Sequence, residues 1–488
     1  MGFRATIRFA LNQPHSDPKG FGMSHQDQDG RTCFRFHHQA LLAAIRWLWD
    51  SVAFDRLRLR QDCTWSARAL ATAGLLWAWS DELTLSDRFT KARQMTMRML
   101  RLSTVPAGTY QAFLKRLGKW TPALVELLQQ AFRRRMRRRF AKRMHVGKFV
   151  IFGVDGSRLQ LPRTKSNEAA YAPDPKRPRK RKRCRKPRQK QADTKKANSP
   201  QMWVTTLWHL GTQLPWDWRF GPSDSSERDH ARQMIDRLPA DSLLVADAGF
   251  TGYELWSQFL SAGCQLVIRV GSNVRLLKKL GYARQDGGLV YCWPDAVARQ
   301  ELPPLVFRLV VMTGKRHPIY LITSVLDRKQ LSDHDVARIY RRRWGIELFY
   351  RHLKQTFDRR KLRSKNAQNA RVEAEWSLLG LWAMALHAQA FQQSQRLDPT
   401  QLSVAGMLRA YRRAMREYKS EPEPGEDLLT MLKLALKDDY ERASKTSRDY
   451  PRKKRETAAG PPQILTATKA QVQNAAKIKR ELTKGLTA

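Results

Sequence analysis

Lys148-Phe-Val-Ile-Phe-Gly-Val-Asp-Gly156 is the stretch on which the fold turns. A short apolar run ends on Asp155-Gly156, which reads as a buried strand meeting a turn. It also marks a change of texture. Upstream, over 38–144, apolar residues recur at three- and four-residue steps: Leu41, Leu42, Ile45, Leu48 and Trp49, then Leu70, Leu75, Leu76 and Trp79. That period predicts helices, with Ser80 and Ser86 as N-caps and Pro106-Ala-Gly108 as a turn. Downstream, 202–210, 215–220, 242–246 and 264–270 read as strands, and 226–238 and 253–261 as helices. Strands that come first and then alternate with helices predict an α/β fold.

Two segments interrupt this order. Residues 176–196, inside an expected loop at 174–198, are a basic low-complexity stretch too charged and Pro-broken to pack, hence a disordered loop. It looks like a nuclear localisation signal, and a loop that grasps DNA would look the same. Residues 274–327 are β-rich, with strands at 289–293, 305–312 and 319–325 and turns at Gly287-Gly288 and Gly314, which predicts a small inserted sheet. A long helix follows at 333–357, an apolar one at 373–391, and two more at 403–416 and 427–436. The expected organisation is a flexible start (1–35), a helical region (36–145), an α/β core (146–360), C-terminal helices (361–441) and a basic tail (442–488), disordered apart from a helical tendency near its end.

Charge is the unusual feature of the composition: 90 Lys and Arg against 44 acids, a net +46. A compact chain with that charge repels itself unless a polyanion shares its surface, and nucleic acid is the commonest one. The run 133–143 puts seven Arg and one Lys on one helix, a density that favours phosphate contact and makes the helical region 36–145 read as a DNA-binding domain. No apolar stretch approaches the ~18 residues needed to span a bilayer, and the best candidate, 69–79, reads as core. The start carries Arg4 and Arg8 without a long apolar run, so it does not read as a secretory signal. The five cysteines (33, 63, 184, 264 and 292) show no CxxC and no His pairing, which fits a reducing cytosol and argues against both a disulfide framework and a zinc site. A metal here would need oxygen ligands.

Carboxylates supply them. Asp155 and Asp247, the latter in Leu243-Leu-Val-Ala-Asp-Ala-Gly-Phe250, each end an apolar strand. Strand ends of α/β sheets are where ligands gather, and two aspartates on neighbouring ends can share a divalent cation. Asp-Gly is also a common turn, so the pair alone is only suggestive. The long helix adds Tyr340-Arg-Arg-Arg-Trp-Gly-Ile-Glu347-Leu-Phe-Tyr-Arg-His-Leu-Lys354. At about 100° per residue, Tyr340, Arg343, Glu347 and Lys354 share an arc of roughly 60°. A plain salt-bridged face, Arg343 with Glu347 at i, i+4, is the bland alternative.

The spacing Y-x2-R-x3-E-x6-K resembles the YREK motif of the DDE transposases encoded by one large class of bacterial insertion sequences. Tyr340, Arg343, Glu347 and Lys354 match all four positions, and the VDGS and ADAGF segments resemble that family's two aspartate motifs in the correct order. The resemblance covers 149–357. It implies a ribonuclease H-like catalytic core with a β-rich insertion, flanked by helical N- and C-terminal regions, and about 100 residues separate Asp247 from Glu347, where that insertion belongs. It further implies metal-dependent cleavage and strand transfer at insertion-sequence ends. Asp155, Asp247 and Glu347 would hold two Mg²⁺ ions (Mn²⁺ substituting), with Asp155 bridging them. Arg343, Lys354 and Tyr340 would bind backbone phosphates. An in-line displacement of phosphodiester needs charge neutralised on both attacking and leaving oxygens, and a pair of hard cations on carboxylates does this. Some members flip a base onto an insertion-domain aromatic, for which Tyr320 or Trp293 would serve. The resemblance implies terminal inverted repeats and target DNA as partners, a homodimer on paired ends, and a cytoplasmic, nucleoid-associated protein.

Asp224, in a Gly-Pro-Ser loop, and Asp327, at an insertion strand end, are rival carboxylates that fit no motif of the family. A DNA-binding regulator with an inert site, or a nuclease that cuts without joining, would carry the same residues. A membrane-surface protein is disfavoured by the dispersed charge.

Overall fold

The computed structural model describes residues 25–26, 32–33, 36–57, 64–102, 108–174, 199–284, 288–313, 317–438 and 460–485. The basic stretch 176–196, most of 1–35, and 439–459 lie outside the described residues. Packing divides the chain into two units, each assembled from separated stretches: Met1–Arg139 with His352–Asp439, and Phe140–Arg351 with Tyr440–Ala488.

The first unit opens with helices α1 (His37–Trp49), α2 (Ala67–Trp79), α3 (Leu85–Leu100) and α4 (Tyr110–Arg139). Ser66 caps α2 by accepting from Ala69 N at 3.1 Å, a contact worth about 1 kcal/mol. Ser80 lies at the C-terminal cap of α2 instead of starting a helix; Thr84 starts α3, accepting from Asp87 N at 3.0 Å. The apolar α2 is buried nearly all round inside protein, and among the described residues no helix is long and apolar enough to cross a membrane. The arginine run does not form one charged face. The Arg135 guanidinium lies 4.2 Å over the Trp47 ring and Arg133 folds onto Gln129, leaving Arg134, Arg137 and Arg138 exposed. α4 ends at Arg139, so Lys142 and Arg143 sit on a separate turn, Ala141–Met144.

The second unit is mixed α/β. Its strands are β1 (Phe149–Gln160), β2 (Gln201–His209), β3 (Leu214–Gly221), β4 (Ser242–Ala246), β5 (Gln265–Val270), β6 (Arg275–Lys278), β7 (Leu289–Cys292), β8 (Leu305–Met312) and β9 (Ile319–Thr323). Helix α5 (Glu227–Arg232) precedes β4, α6 (Tyr253–Ser261) follows it, and α7 (Asp333–Arg342) and α8 (Trp344–Arg351) follow β9. β1 is central: it pairs parallel to β4 up to Gly153↔Val245 and antiparallel to β2 along its whole upper half. The expected turn at Asp155-Gly156 is therefore not a turn. β1 runs on to Gln160, with Asp155 opposite Thr206 and Gly156 opposite Thr205. The insertion strands do not make a separate small sheet, because β9 pairs antiparallel with β5 and carries the main sheet onward through β8, β7 and β6.

Three helices then return to the first unit: α9 (Ala367–Ser394), α10 (Val404–Arg416) and α11 (Leu428–Leu434). α9 is buried on almost every side because α1, α2, α4 and α10 pack round it. Gly74 of α2 makes room for Trp376: a Cβ there would meet the indole at 2.6 Å. Trp376 Nε1 donates to Thr121 Oγ1 (2.9 Å) and Trp79 Nε1 to the Gly380 carbonyl (2.9 Å). The N- and C-terminal helices thus form one core where the sequence suggested two regions, since neither set alone covers the apolar surface of α9. The chain ends back in the second unit. Strand β10 (Gln463–Thr466) pairs parallel to β6, and α12 (Lys469–Gly485) places Ala475 and Ile478 against Leu277, Tyr291 and Trp293. The expected basic tail is folded over 460–485: the spacing of Ala475 and Ile478 gives α12 one apolar stripe, and the insertion supplies its cover.

Candidate active site

Both aspartates lie two residues beyond the last parallel pair, Gly153↔Val245, and so at the same level on neighbouring strands. Side chains alternate along a strand, so each points to the face of its paired residue. The main chain fixes both. Gly156 N donates to Asp155 Oδ1 (2.9 Å), and Ala248 N donates to Asp247 Oδ1 (2.8 Å) where Asp247 caps a short 3-10 turn.

Glu347 comes from α8, and α8 is clamped to the sheet. The Phe349 and Trp208 rings pack at a tilt of 37° with centroids 4.6 Å apart. The fully buried Tyr350 hydroxyl donates to the Asp155 carbonyl oxygen (2.9 Å) and stands 3.0 Å from Thr206 Oγ1. One tyrosine therefore ties the helix carrying Glu347 to the backbone of Asp155.

Arg343 and Tyr340 bind the acids together. Arg343 Nη2 lies 2.8 Å from Glu347 Oε1 and 3.6 Å from Asp247 Oδ2. The Tyr340 hydroxyl donates to Asp247 Oδ1 at 3.3 Å, and Arg269 Nη1 lies 3.4 Å from the same oxygen. Burial works against the Arg343 charge, but Tyr340, Asp247, Glu347 and Asp155 outweigh it and raise its pKa. Burial first, then Glu347 and Asp247, push Asp155 up to about 6 against the Gly156 N–H and Arg343. Glu227, at the start of α5, is pushed up to about 7 by burial and by Asp155, against the cation of Arg158.

The donors are carboxylate oxygens, the set that hard divalent cations prefer. Two acids titrating well above their usual range mark a place where negative charge is poorly compensated, which a dication would relieve. Among the described residues no three acidic, His or Cys side chains close on a single ion. The three acids act instead on Arg343, which supplies the countercharge.

Of the expected residues, Asp155, Asp247, Glu347, Tyr340 and Arg343 come together. The long helix expected at 333–357 is interrupted. Arg343 links α7 to α8, and 352–356 form a π-type turn with Phe357 N donating to the His352 carbonyl at 2.7 Å. Lys354 lies on that turn, in the stretch grouped with the helical unit, so the uniform 100° stripe ends before it. Trp293 is 4% exposed and packed in the insertion core, with Nε1 donating to the Leu302 carbonyl at 2.9 Å. Tyr320 is half-buried on β9 between Val311 and Val270. Of the rivals, Asp224 accepts from Asp174 N at 3.4 Å, and Asp327 lines a cleft of about 300 Å³ with Phe149 and Asp241, at the opposite end of β1 and β4. Sequence reasoning missed Arg269, Tyr350 and Glu227. An Arg inside the apolar run of β5 was the one visible signal among them.

Residues 147–383 match the family model described as Transposase DDE domain. The chain is 27% identical over 266 residues to the transposase InsG for insertion sequence element IS4 of Escherichia coli strain K12, across 52% of this chain and 56% of that protein. The match thus spans about half the length of that curated relative. A solved structure of the piggyBac transposase synaptic complex with hairpin DNA aligns at 12% identity and a TM-score of 0.37, covering 85% of this chain and 87% of that one, a likeness too low to define a shared fold.

Proposed function

We infer that this chain, whose residues 147–383 match the Transposase DDE domain family model, cleaves DNA at the ends of an insertion sequence and joins those ends to target DNA. The observation that carries the reading is the convergence of Asp155, Asp247 and Glu347, from two strands and a helix far apart in sequence, around Arg343. The central strand order, β1 antiparallel to β2 and parallel to β4, supports a ribonuclease H-like core.

In this reading Asp155, Asp247 and Glu347 would hold divalent cations, Mg²⁺ by the preference of hard ions for carboxylate oxygens. Bound divalent cations lower the cost of negative charge on the attacking and leaving oxygens of an in-line displacement. The chain's own residues arrange the rest. Tyr350 and the Gly156 N–H set the Asp155 carboxylate, and Ala248 N–H sets that of Asp247. Arg343 neutralises the acids in the metal-free protein and, with Tyr340, grips backbone phosphate when DNA arrives; Lys354, on the turn that follows, is a further phosphate contact. Tyr320 is an insertion aromatic with some exposure, suited to stack on an unpaired base. The helical unit, with Arg134, Arg137 and Arg138 exposed, provides DNA contact outside the acids, and two copies act on paired ends.

The test is a gel assay of cleavage and joining on the element's own ends. Asp155→Asn, Asp247→Asn and Glu347→Gln should each lower cleavage by on the order of 10³ or more while DNA binding stays within a few-fold. Retained cleavage in any one variant removes that residue from the site, and cutting without joining by the wild type makes the protein a nuclease.

A further inference from the structure

We propose that Glu227 is a fourth acidic residue of this site and helps hold the divalent cation there, an inference that rests on the reading of Asp155, Asp247 and Glu347 as the cation site. Ser226 caps α5 by accepting from Asp229 N at 3.3 Å, which sets Glu227 at the first helical position facing the sheet. Its two oxygens mark its place. A Cβ built on Gly156 would fall 2.5 Å from Glu227 Oε1, and one built on Gly249 would fall 3.9 Å from Glu227 Oε2. The carboxylate therefore lies between the residue after Asp155 and the turn after Asp247. Gly156 is the residue that admits it, inside a strand where glycine has no conformational advantage.

The surroundings give this carboxylate nothing to hold. Among the described residues it accepts no hydrogen bond and forms no ion pair, while Asp155 acts on it as a like charge. The Arg158 guanidinium acts at longer range and is stacked 4.3 Å over the Trp203 ring. Trp203 Nε1 lies beside the same space, 2.7 Å from the Gly156 Cβ position, and is buried without a partner, so the indole does not complete the carboxylate either. A half-buried acid set against another acid, with only Arg158 to oppose it, destabilises a fold unless a ligand supplies the countercharge. Beside Asp155 and the turn that follows Asp247, that ligand is a divalent cation.

The experiment measures Mn²⁺ binding to the full-length protein without DNA, by the loss of the free-ion electron paramagnetic resonance signal. Wild type, Glu227→Gln, Asp247→Asn and the exposed control Glu254→Gln are compared, with melting curves in chelator as a check of fold. Glu227→Gln should weaken Mn²⁺ binding about tenfold or more and leave the chelated melting temperature at or above that of wild type. Glu254→Gln should leave binding unchanged. Weakening by Asp247→Asn with none by Glu227→Gln overturns the fourth acid and leaves the three-acid site standing. Unchanged binding in both overturns the three-acid site and the inference with it. If Glu227→Gln fails to fold, Glu227→Asp decides: binding between wild type and the Asp247→Asn level supports the role, and binding equal to wild type removes it.

Discussion

Asp155 holds its proton more tightly than an exposed carboxyl because it is buried among Glu347 and Asp247, and its pKa of about 6 has a consequence for stability. A group whose pKa is higher folded than unfolded favours the fold fully below its unfolded value, and that contribution is lost as pH rises through the folded value. Metal-free protein should therefore lose stability relative to Asp155→Asn as pH rises from about 4 to about 6, and relative to Glu227→Gln as it rises from about 4.5 to about 7. Differential scanning fluorimetry in chelator reads the two gaps, and Mg²⁺ should shrink them at pH 8. Gaps that do not change with pH would mean neither group feels the burial seen here. Gly156 makes a second prediction at this scale. Gly156→Ala forces the Glu227 carboxylate and the Trp203 ring to move, so it should cost about 1–3 kcal/mol in urea unfolding.

At the level of elements, most of the sheet could be read from the sequence because its strands are short apolar runs between turn residues. β4 falls at 242–246 as expected, and α6 at 253–261. The errors share one cause: long-range pairing overrode a local signal. Asp155-Gly156 looks like a turn, yet β2 offers a partner for nine residues of β1 and the strand continues. The helix at 333–357 has the right period, yet the changes of geometry at Arg343 and at 352–356 were invisible to a wheel that assumes constant pitch. The three site acids were legible through their motif. Tyr350 was not, because only the folded register brings its hydroxyl to the Asp155 carbonyl. Removing that hydroxyl leaves a buried carbonyl short of a donor. Tyr350→Phe should thus cost about 1–3 kcal/mol and slow end cleavage more than it weakens DNA binding. Equal rates at saturating DNA would show that the tie between α8 and β1 is not needed for chemistry.

For the whole molecule, charge and connectivity set the expectations. A net +46 means that DNA binding displaces many condensed counterions, so affinity should fall steeply with salt, with a slope of roughly one unit per phosphate contacted. A filter-binding series across ionic strength gives the slope, and a flat response would remove nucleic acid as the partner that offsets this charge. Connectivity gives a different test. Ending the chain at residue 459 removes β10 and α12, uncovering the β6 edge and the Leu277, Tyr291 and Trp293 cluster. Hydrogen exchange should then show lost protection at Leu277 and Tyr291, with Ile151 and Leu244 little changed. Ile478→Ala should do the same more weakly, costing about 2–4 kcal/mol of local opening energy.

The return of the chain to the α/β unit also bears on biosynthesis. A ribosome makes Asp155, Asp247 and Glu347 first, then the helices 367–434, and only at the end the strand that closes the sheet at β6. During elongation, at about 5–20 residues per second, that edge is an open template for any other extended polypeptide. Nascent chains on one messenger stand close together with the same edge unsealed. A premature stop after residue 438 would release a protein with every acid in place and a permanently adhesive border, prone to clump with its siblings.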